Sequence, residues 1–161
     1  SNFFDPLLKL IKKNYKKNKK NISIYYPSSF EVDTLNLFKT NYTSRIKTYL
    51  PAITGNSSMQ FYKWNNQEIL QINKFGMLEP FITVNEIVPD VMLVPLLAFD
   101  YKKNRLGYGK GFYDQYLQKY LKKYNNILTI GIAFSFQKYH KLPVSINDVQ
   151  LNYILTEKGI F

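Results

Sequence analysis

The chain has 161 residues, of which 45% are hydrophobic and 17% aromatic, with a net charge of +11 and no cysteine. That length and apolar share suit one folded domain with its own core and exclude a disordered chain. The missing cysteine excludes disulfides, thiolate metal sites and a cysteine nucleophile, and no stretch approaches the ~18 uninterrupted apolar residues of a membrane span.

Phe4, Leu7, Leu8, Ile11 and Tyr15 recur at helical spacing, which predicts a helix over Phe3–Lys20. Lys16, Lys17, Lys19 and Lys20 form its basic end, where cations suit the helix dipole. Ile22–Tyr26 is β-branched and aromatic and reads as a strand. Pro27–Ser29 is a loop, and a helix from Glu31 to Asn41 follows, with Val32, Leu35 and Phe38 on its buried stripe. Arg45–Leu50 reads as the next strand, stopped by Pro51, so a right-handed unit with parallel strands is expected. Thr54–Ser58 is a turn. Met59–Trp64 is a strand that Asn65-Asn66 turns into a partner through Ile69–Ile72, a hairpin added to the core. Val91–Val94 is a continuous apolar run of the kind found in central parallel strands. Phe112–Tyr124 reads as a helix with Tyr113, Tyr116, Leu117 and Tyr120 inward, Ile127–Phe134 as a buried strand, and Asn152–Leu155 as a last short one. Such alternation predicts an α/β fold, a three-layer sandwich in one domain over residues 1–161.

The chemistry concentrates between Arg105 and Asp114, in a loop between a buried strand and a helix. Ligands of open α/β sheets bind there. Gly107, Gly109 and Gly111 remove side chains that would hold the backbone away from an anion, so their amides can form a nest for phosphate oxygens beside a helix N-terminus. Arg105 and Lys110 bracket the glycines and can neutralise phosphate charge. The spacing is neither the dinucleotide G-x-G-x-x-G nor a P-loop, because Gly111 follows Lys110. A plain glycine-rich turn with incidental charges is the competing reading. His140 is the lone histidine, and no Ser-His-Asp arrangement is evident.

Val94–Asp100 followed by Arg105–Asp114 resembles the signature of the 5-formyltetrahydrofolate cyclo-ligase family. Glu31–Thr34, Gly76–Pro80, Ala133–Gln137, Leu142-Pro143, Asn147-Asp148 and Thr156–Gly159 resemble its other motifs in the same order. The resemblance implies a Rossmann-like three-layer sandwich with a mostly parallel central sheet and an added hairpin. It also implies an ATP- and Mg²⁺-dependent conversion of 5-formyltetrahydrofolate to 5,10-methenyltetrahydrofolate, in which the formyl oxygen is phosphorylated and N10 closes the ring. Arg105 and Lys110 are then the catalytic candidates, and Arg105, Leu106, Gly107, Tyr108, Gly109, Lys110, Gly111, Phe112 and Tyr113 contact ATP. Glu31, Tyr62, Trp64, Glu79, Tyr108 and Phe112 face the folate, and Asp114 and Asp148 hold Mg²⁺.

Each side chain also has a plainer reading. Asp114 and Glu31 suit a helix first turn, Asp148 and Glu79 suit turns, and Tyr62 and Trp64 suit the core. The family's N-terminal basic helix, with its Lys-x-x-x-Arg pattern, has no counterpart among these residues: Lys9, Lys12 and Lys13 fall in what resembles the following helix, and no arginine precedes Arg45. A relative that binds without turnover is the second functional reading. A nucleic-acid module rests on charge alone, which a composition rich in Lys, Asn, Ile and Tyr also explains. The expected partner is 5-formyltetrahydrofolate, its polyglutamylated form included, with no specific nucleic acid and no membrane. Ser1–Pro6 lacks a signal-peptide pattern, and a cytoplasmic monomer is expected.

Overall fold

Val91, Met92, Leu93 and Val94 are all fully buried, which requires a layer on each face of the strand that carries them. The computed structural model describes residues 2–14, 20–28, 30–40, 46–124 and 126–161 and supplies those layers. Strands β1 (Lys20–Ser23), β2 (Ile46–Thr54), β3 (Ser58–Lys63), β6 (Val91–Pro95), β9 (Leu128–Ile132), β10 (Tyr153–Thr156) and β11 (Gly159–Ile160) form a seven-stranded sheet in the order β11-β10-β9-β6-β1-β2-β3. The contacts from β10 through β2 are parallel, and the two outer strands pair antiparallel.

One face is covered by α1 (Asp5–Asn14), whose Leu7, Leu8 and Ile11 pack with Ile22, Ile24, Leu93 and Ile130. The other is covered by α2 (Phe112–Leu121), whose Tyr116 and Leu117 pack with Met92, Val94, Phe61 and Ile154. Each such fully buried apolar side chain contributes roughly 1.5–3 kcal/mol. The three-layer α/β sandwich with a mostly parallel sheet is therefore the observed architecture.

Several local expectations change. Lys20 opens β1 instead of ending the first helix; Lys16, Lys17 and Lys19 lie outside the described residues, as do Asn41 and Arg45. The helix expected over Glu31–Asn41 is a 3₁₀ helix at Thr34–Lys39. Asp33 caps it by accepting from the Leu35 amide, and the Thr34 hydroxyl donates to the Tyr25 carbonyl. These short local bonds favour the tighter turn, and Leu37 becomes its fully buried residue in place of Leu35 and Phe38.

Pro51 does not stop β2. The Ile53 amide donates to Glu79, away from β3, so Pro51 also turns its nitrogen to the side where pairing with β1 ends at Tyr49. No ladder bond is needed there, which is where proline is tolerated in a strand. Residues 59–64 pair with β2, not with 69–72. The added hairpin is instead β4 (Gln71–Ile72) with β5 (Leu78–Glu79). A further hairpin, β7 (Ala98–Phe99) with β8 (Arg105–Leu106), stands between β6 and the glycine loop.

Candidate active site

The chain leaves β1 for β2 through the 3₁₀ helix on the α1 face. It leaves β6, the other neighbour of β1, for β9 through α2 on the opposite face. A crevice outside the carboxyl ends of β1 and β6 follows, the position at which open α/β sheets bind ligands.

The β7–β8 hairpin delivers Arg105 to that crevice. Its Nη1 donates to the Pro95 carbonyl at the end of β6 (3.4 Å), and its Nη2 pairs with Asp114 in the first turn of α2 (3.0 Å). The arginine side chain is only 5% exposed, and its guanidinium lies 5.7 Å from the Tyr113 ring. Gly107 makes this possible: a Cβ there would come within 2.7 Å of Nη1. Lys110 is exposed on the outside of the same loop. The two cations expected to bracket the glycines therefore sit at different depths. Gly111 precedes α2 with φ 69°, a backbone region costly for residues with a side chain.

Among the described residues, Arg105 Nε and the Tyr113 hydroxyl are buried without a hydrogen-bond partner. Buried polar groups of this kind cost about 1–3 kcal/mol each when left unpaired. Two orphan donors beside an exposed lysine and a helix N-terminus suit an anionic ligand.

Glu31 joins the loop from the β1 side. Its carboxylate accepts from the Ser28 amide at 2.7 Å and hydrogen-bonds the Tyr108 hydroxyl. Burial first, then the bond to Glu31 and its charge, raise the Tyr108 phenol well above its ordinary value. Tyr113 is raised by burial and by Glu31, against the opposing charge of Arg105. Tyr25 is raised by burial, then by Glu31, Tyr113 and Tyr108. Two carboxylates, Glu31 and Asp114, three protonated phenols and one guanidinium thus share the crevice.

The remaining candidates separate. The Phe112 ring lies 5.8 Å from Phe75 of the β4–β5 hairpin, and the Lys110 ammonium stands 3.6 Å above that same ring. Glu79 is 4% exposed and accepts from the Ile53 amide, Asn73 and Gln71, so it clamps that hairpin to β2. Tyr62 and Trp64 are 2% and 4% exposed. The Tyr62 hydroxyl reaches Glu86, and the Trp64 ring is set between Tyr26 and Phe38 while its indole nitrogen donates to the Glu68 carbonyl. Both rings are core residues at the level of packing. His140 is exposed.

Asp114 Oδ1 accepts from the Val149 amide at 3.1 Å, so the backbone that follows Asp148 meets Asp114. Asp148 is exposed and accepts from the Ser145 amide at 2.8 Å. No cluster of three or more metal-ligating side chains occurs among the described residues. Mg²⁺ takes one or two carboxylates together with phosphate oxygens, the donor type that Asp114 and Asp148 each offer.

Sequence reasoning missed Tyr25, Phe75 and Asp100. Tyr25 was legible only as a strand residue. Phe75 adjoins the Gly76–Pro80 motif, and Asp100 closes the Val94–Asp100 motif, so both lay within reach of the sequence signal.

The sequence profile of the 5-formyltetrahydrofolate cyclo-ligase family matches residues 7–157. A 5-formyltetrahydrofolate cyclo-ligase of Haemophilus influenzae is 33% identical over 142 residues, 84% of this chain and 75% of that protein. The Mycoplasma genitalium enzyme of the same name is 36% identical over 140 residues, 84% of this chain and 72% of its own. The structure of Aquifex aeolicus 5,10-methenyltetrahydrofolate synthetase superposes with a TM-score of 0.72 at 29% identity, covering 98% of this chain and 79% of that one. A Mycoplasma pneumoniae 5,10-methenyltetrahydrofolate synthetase gives 0.65 at 27% identity over 93% of this chain and 81% of its own. The chain belongs to the 5-formyltetrahydrofolate cyclo-ligase family.

Proposed function

Taking that membership as premise, we propose that this chain converts 5-formyltetrahydrofolate and ATP to 5,10-methenyltetrahydrofolate, ADP and phosphate, with Mg²⁺ bound beside the nucleotide. The observation that carries the reading is the meeting of two differently charged halves in one crevice: the Arg105–Lys110 loop, and the Glu31–Tyr108 pair.

The formyl oxygen is a poor leaving group. Transfer of the γ-phosphoryl group to it turns it into a good one. N10 attacks the formyl carbon, the ring closes, and the oxygen departs with phosphate. Phosphoryl transfer depends on positioning and charge neutralisation more than on a protein nucleophile, which suits a chain without cysteine. Lys110 and the backbone of Gly107–Gly111 hold the phosphates, and Arg105 and Tyr113 offer their unpaired donors to phosphate oxygens. Asp114 and Asp148 hold Mg²⁺, which neutralises phosphate charge. Glu31 accepts hydrogen bonds from the pterin edge while Tyr108 fixes its orientation. Phe112 lines the folate side of the loop, and Glu79 fastens the β4–β5 hairpin whose Phe75 packs on Phe112. Polyglutamylated substrate and a cytoplasmic place of action belong to the same reading.

The test is the near-ultraviolet absorbance of the methenyl product. It should rise only with 5-formyltetrahydrofolate, ATP and Mg²⁺ together. Arg105→Ala should lower kcat/KM for ATP by roughly 10²–10³-fold, as loss of one preorganised charge-stabilising donor does. No product from the folded chain would overturn the reading.

A further inference from the structure

We propose that Asp100 is a positioning residue for Arg105: its buried carboxylate fixes the hairpin that carries the arginine to the nucleotide side of the crevice. The proposal rests on the assignment of Arg105 to ATP made above.

Asp100 is 1% exposed and lies at the end of β7, five residues before Arg105. Both of its carboxylate oxygens are used twice. Oδ1 accepts from the amides of Lys102 and Asn104, each at 3.0 Å. Oδ2 accepts from the Asn104 side chain at 3.0 Å and from the Leu142 amide at 3.2 Å. The backbone closes the same turn, with Asp100 donating to the Asn104 carbonyl and Lys103 to the Asp100 carbonyl. Lys103 takes the left-handed conformation at φ 63°, which for a lysine requires that its surroundings hold it.

That turn decides where Arg105 begins. Asn104 is the residue bonded most to Asp100, and Arg105 follows it directly, paired in register with Phe99. The bond to Leu142 ties the hairpin to the segment after β9, as do the Tyr139 amide to Phe99 and the Leu151 amide to Lys103. A two-residue strand pair could not hold a long charged side chain in place unaided. Arg105 in turn has little freedom of its own, being caught between Pro95, Asp114 and the bare Cα of Gly107. A shift of its Cα would break that fit. Burial pushes the Asp100 carboxyl up, but the bonds from Asn104, Leu142 and Lys102 outweigh it and hold the group below its ordinary value, so it is ionised at neutral pH.

A double-mutant cycle tests this. Asp100→Asn should raise KM for ATP by roughly tenfold to a hundredfold, the range for displaced catalytic geometry, with KM for the folate unchanged. In the Arg105→Ala background the same substitution should change ATP kinetics less than threefold. Asn104→Ala, which removes one of the four bonds, should show the same pattern more weakly and serves if Asp100→Asn fails to fold. If Asp100→Asn lowers the melting temperature but leaves KM for ATP unchanged, or if its effect multiplies with that of Arg105→Ala, the positioning role is refuted. If Arg105→Ala alone leaves ATP kinetics intact, the assignment of Arg105 fails instead.

Discussion

Two short hairpins flank the glycine loop, and each is built around one buried carboxylate. In β7–β8 the carboxylate is Asp100, which binds three donors from its own turn and one from residue 142. In β4–β5 it is Glu79, whose donors are a β2 amide and the side chains of Gln71 and Asn73. The strands differ more. Ala98 and Phe99 are buried, whereas Ile72 is 73% and Leu78 40% exposed. The first hairpin is a rigid arm bearing Arg105. The second buries little apolar surface and belongs to the low end of local stability, yet it sets Phe75 against Phe112 and Lys110. Under the proposed assignment, the difference puts fixed geometry at Arg105 and compliance at Phe112.

Substitution at Gly107 should sharpen this contrast most. A Cβ in Gly107→Ala would meet Arg105 Nη1 at 2.7 Å, so the guanidinium must leave its place between Pro95 and Asp114. We expect kcat/KM for ATP to fall about 100-fold and stability by about 1–3 kcal/mol, read by steady-state kinetics and thermal unfolding. Unchanged ATP kinetics would show that the buried arginine position is not the working one.

Acid should test the first hairpin next. The Asp100 carboxyl is held below its ordinary value, so its contribution is fully present above the unfolded value of about 3.9 and is lost as pH falls through the lower folded value. Asp100→Asn should therefore cost about 2–3 kcal/mol at pH 7, as hydrogen bonds to a charged group do. The gap from the unsubstituted chain should hold down to about pH 3.9 and narrow as pH falls further, through the lower folded value. A gap that stayed unchanged as pH fell well below that point, in denaturant unfolding, would mean that the charge of Asp100 contributes nothing.

The order of secondary elements was legible because periodicity and burial agree in Val91–Val94 and in the Tyr116–Leu117 stripe of α2. The glycine loop was legible because its composition serves one purpose. Two kinds of feature were not. Pro51 looked like a strand end, since sequence cannot tell which edge of a strand its nitrogen faces. Both flanking hairpins have strands of two residues, too short for any alternation to register. For the same reason Glu79 read as a turn residue and Asp100 was passed over: the bond to Leu142 spans 42 residues of chain. Tyr62 and Trp64 suited folate contact and core packing alike, because the packing that buries them comes from Glu86, Tyr26 and Phe38, distant in sequence.

Glu79→Gln should act on the compliant side. The amide keeps the shape but turns a donor toward Asn73, Gln71 or the Ile53 amide, all of them donors already. The expected loss is about 1–2 kcal/mol of stability. KM for the folate should rise several-fold through Phe75 and Phe112, and KM for ATP by less, through Lys110 on the same Phe75 ring. A larger change in KM for ATP would erase the proposed division between the hairpins.

Tyr108→Phe should have the smallest effect and separates the halves most directly, because Tyr108 lies on the phosphate loop yet serves Glu31. Tyr108 as a residue is 51% exposed, so water can replace its hydroxyl as donor and the net cost of its loss is about 0.5–1.5 kcal/mol. The Glu31 carboxylate keeps the Ser28 amide at 2.7 Å but loses its phenol partner on the loop. KM for the folate should therefore rise about three- to tenfold, while the loop backbone, Lys110 and the buried Arg105 stay in place and KM for ATP stays constant. An equal rise in both constants would mean that Tyr108 shapes the loop itself, and the carboxylate half of the crevice would then have to be assigned to Glu31 alone.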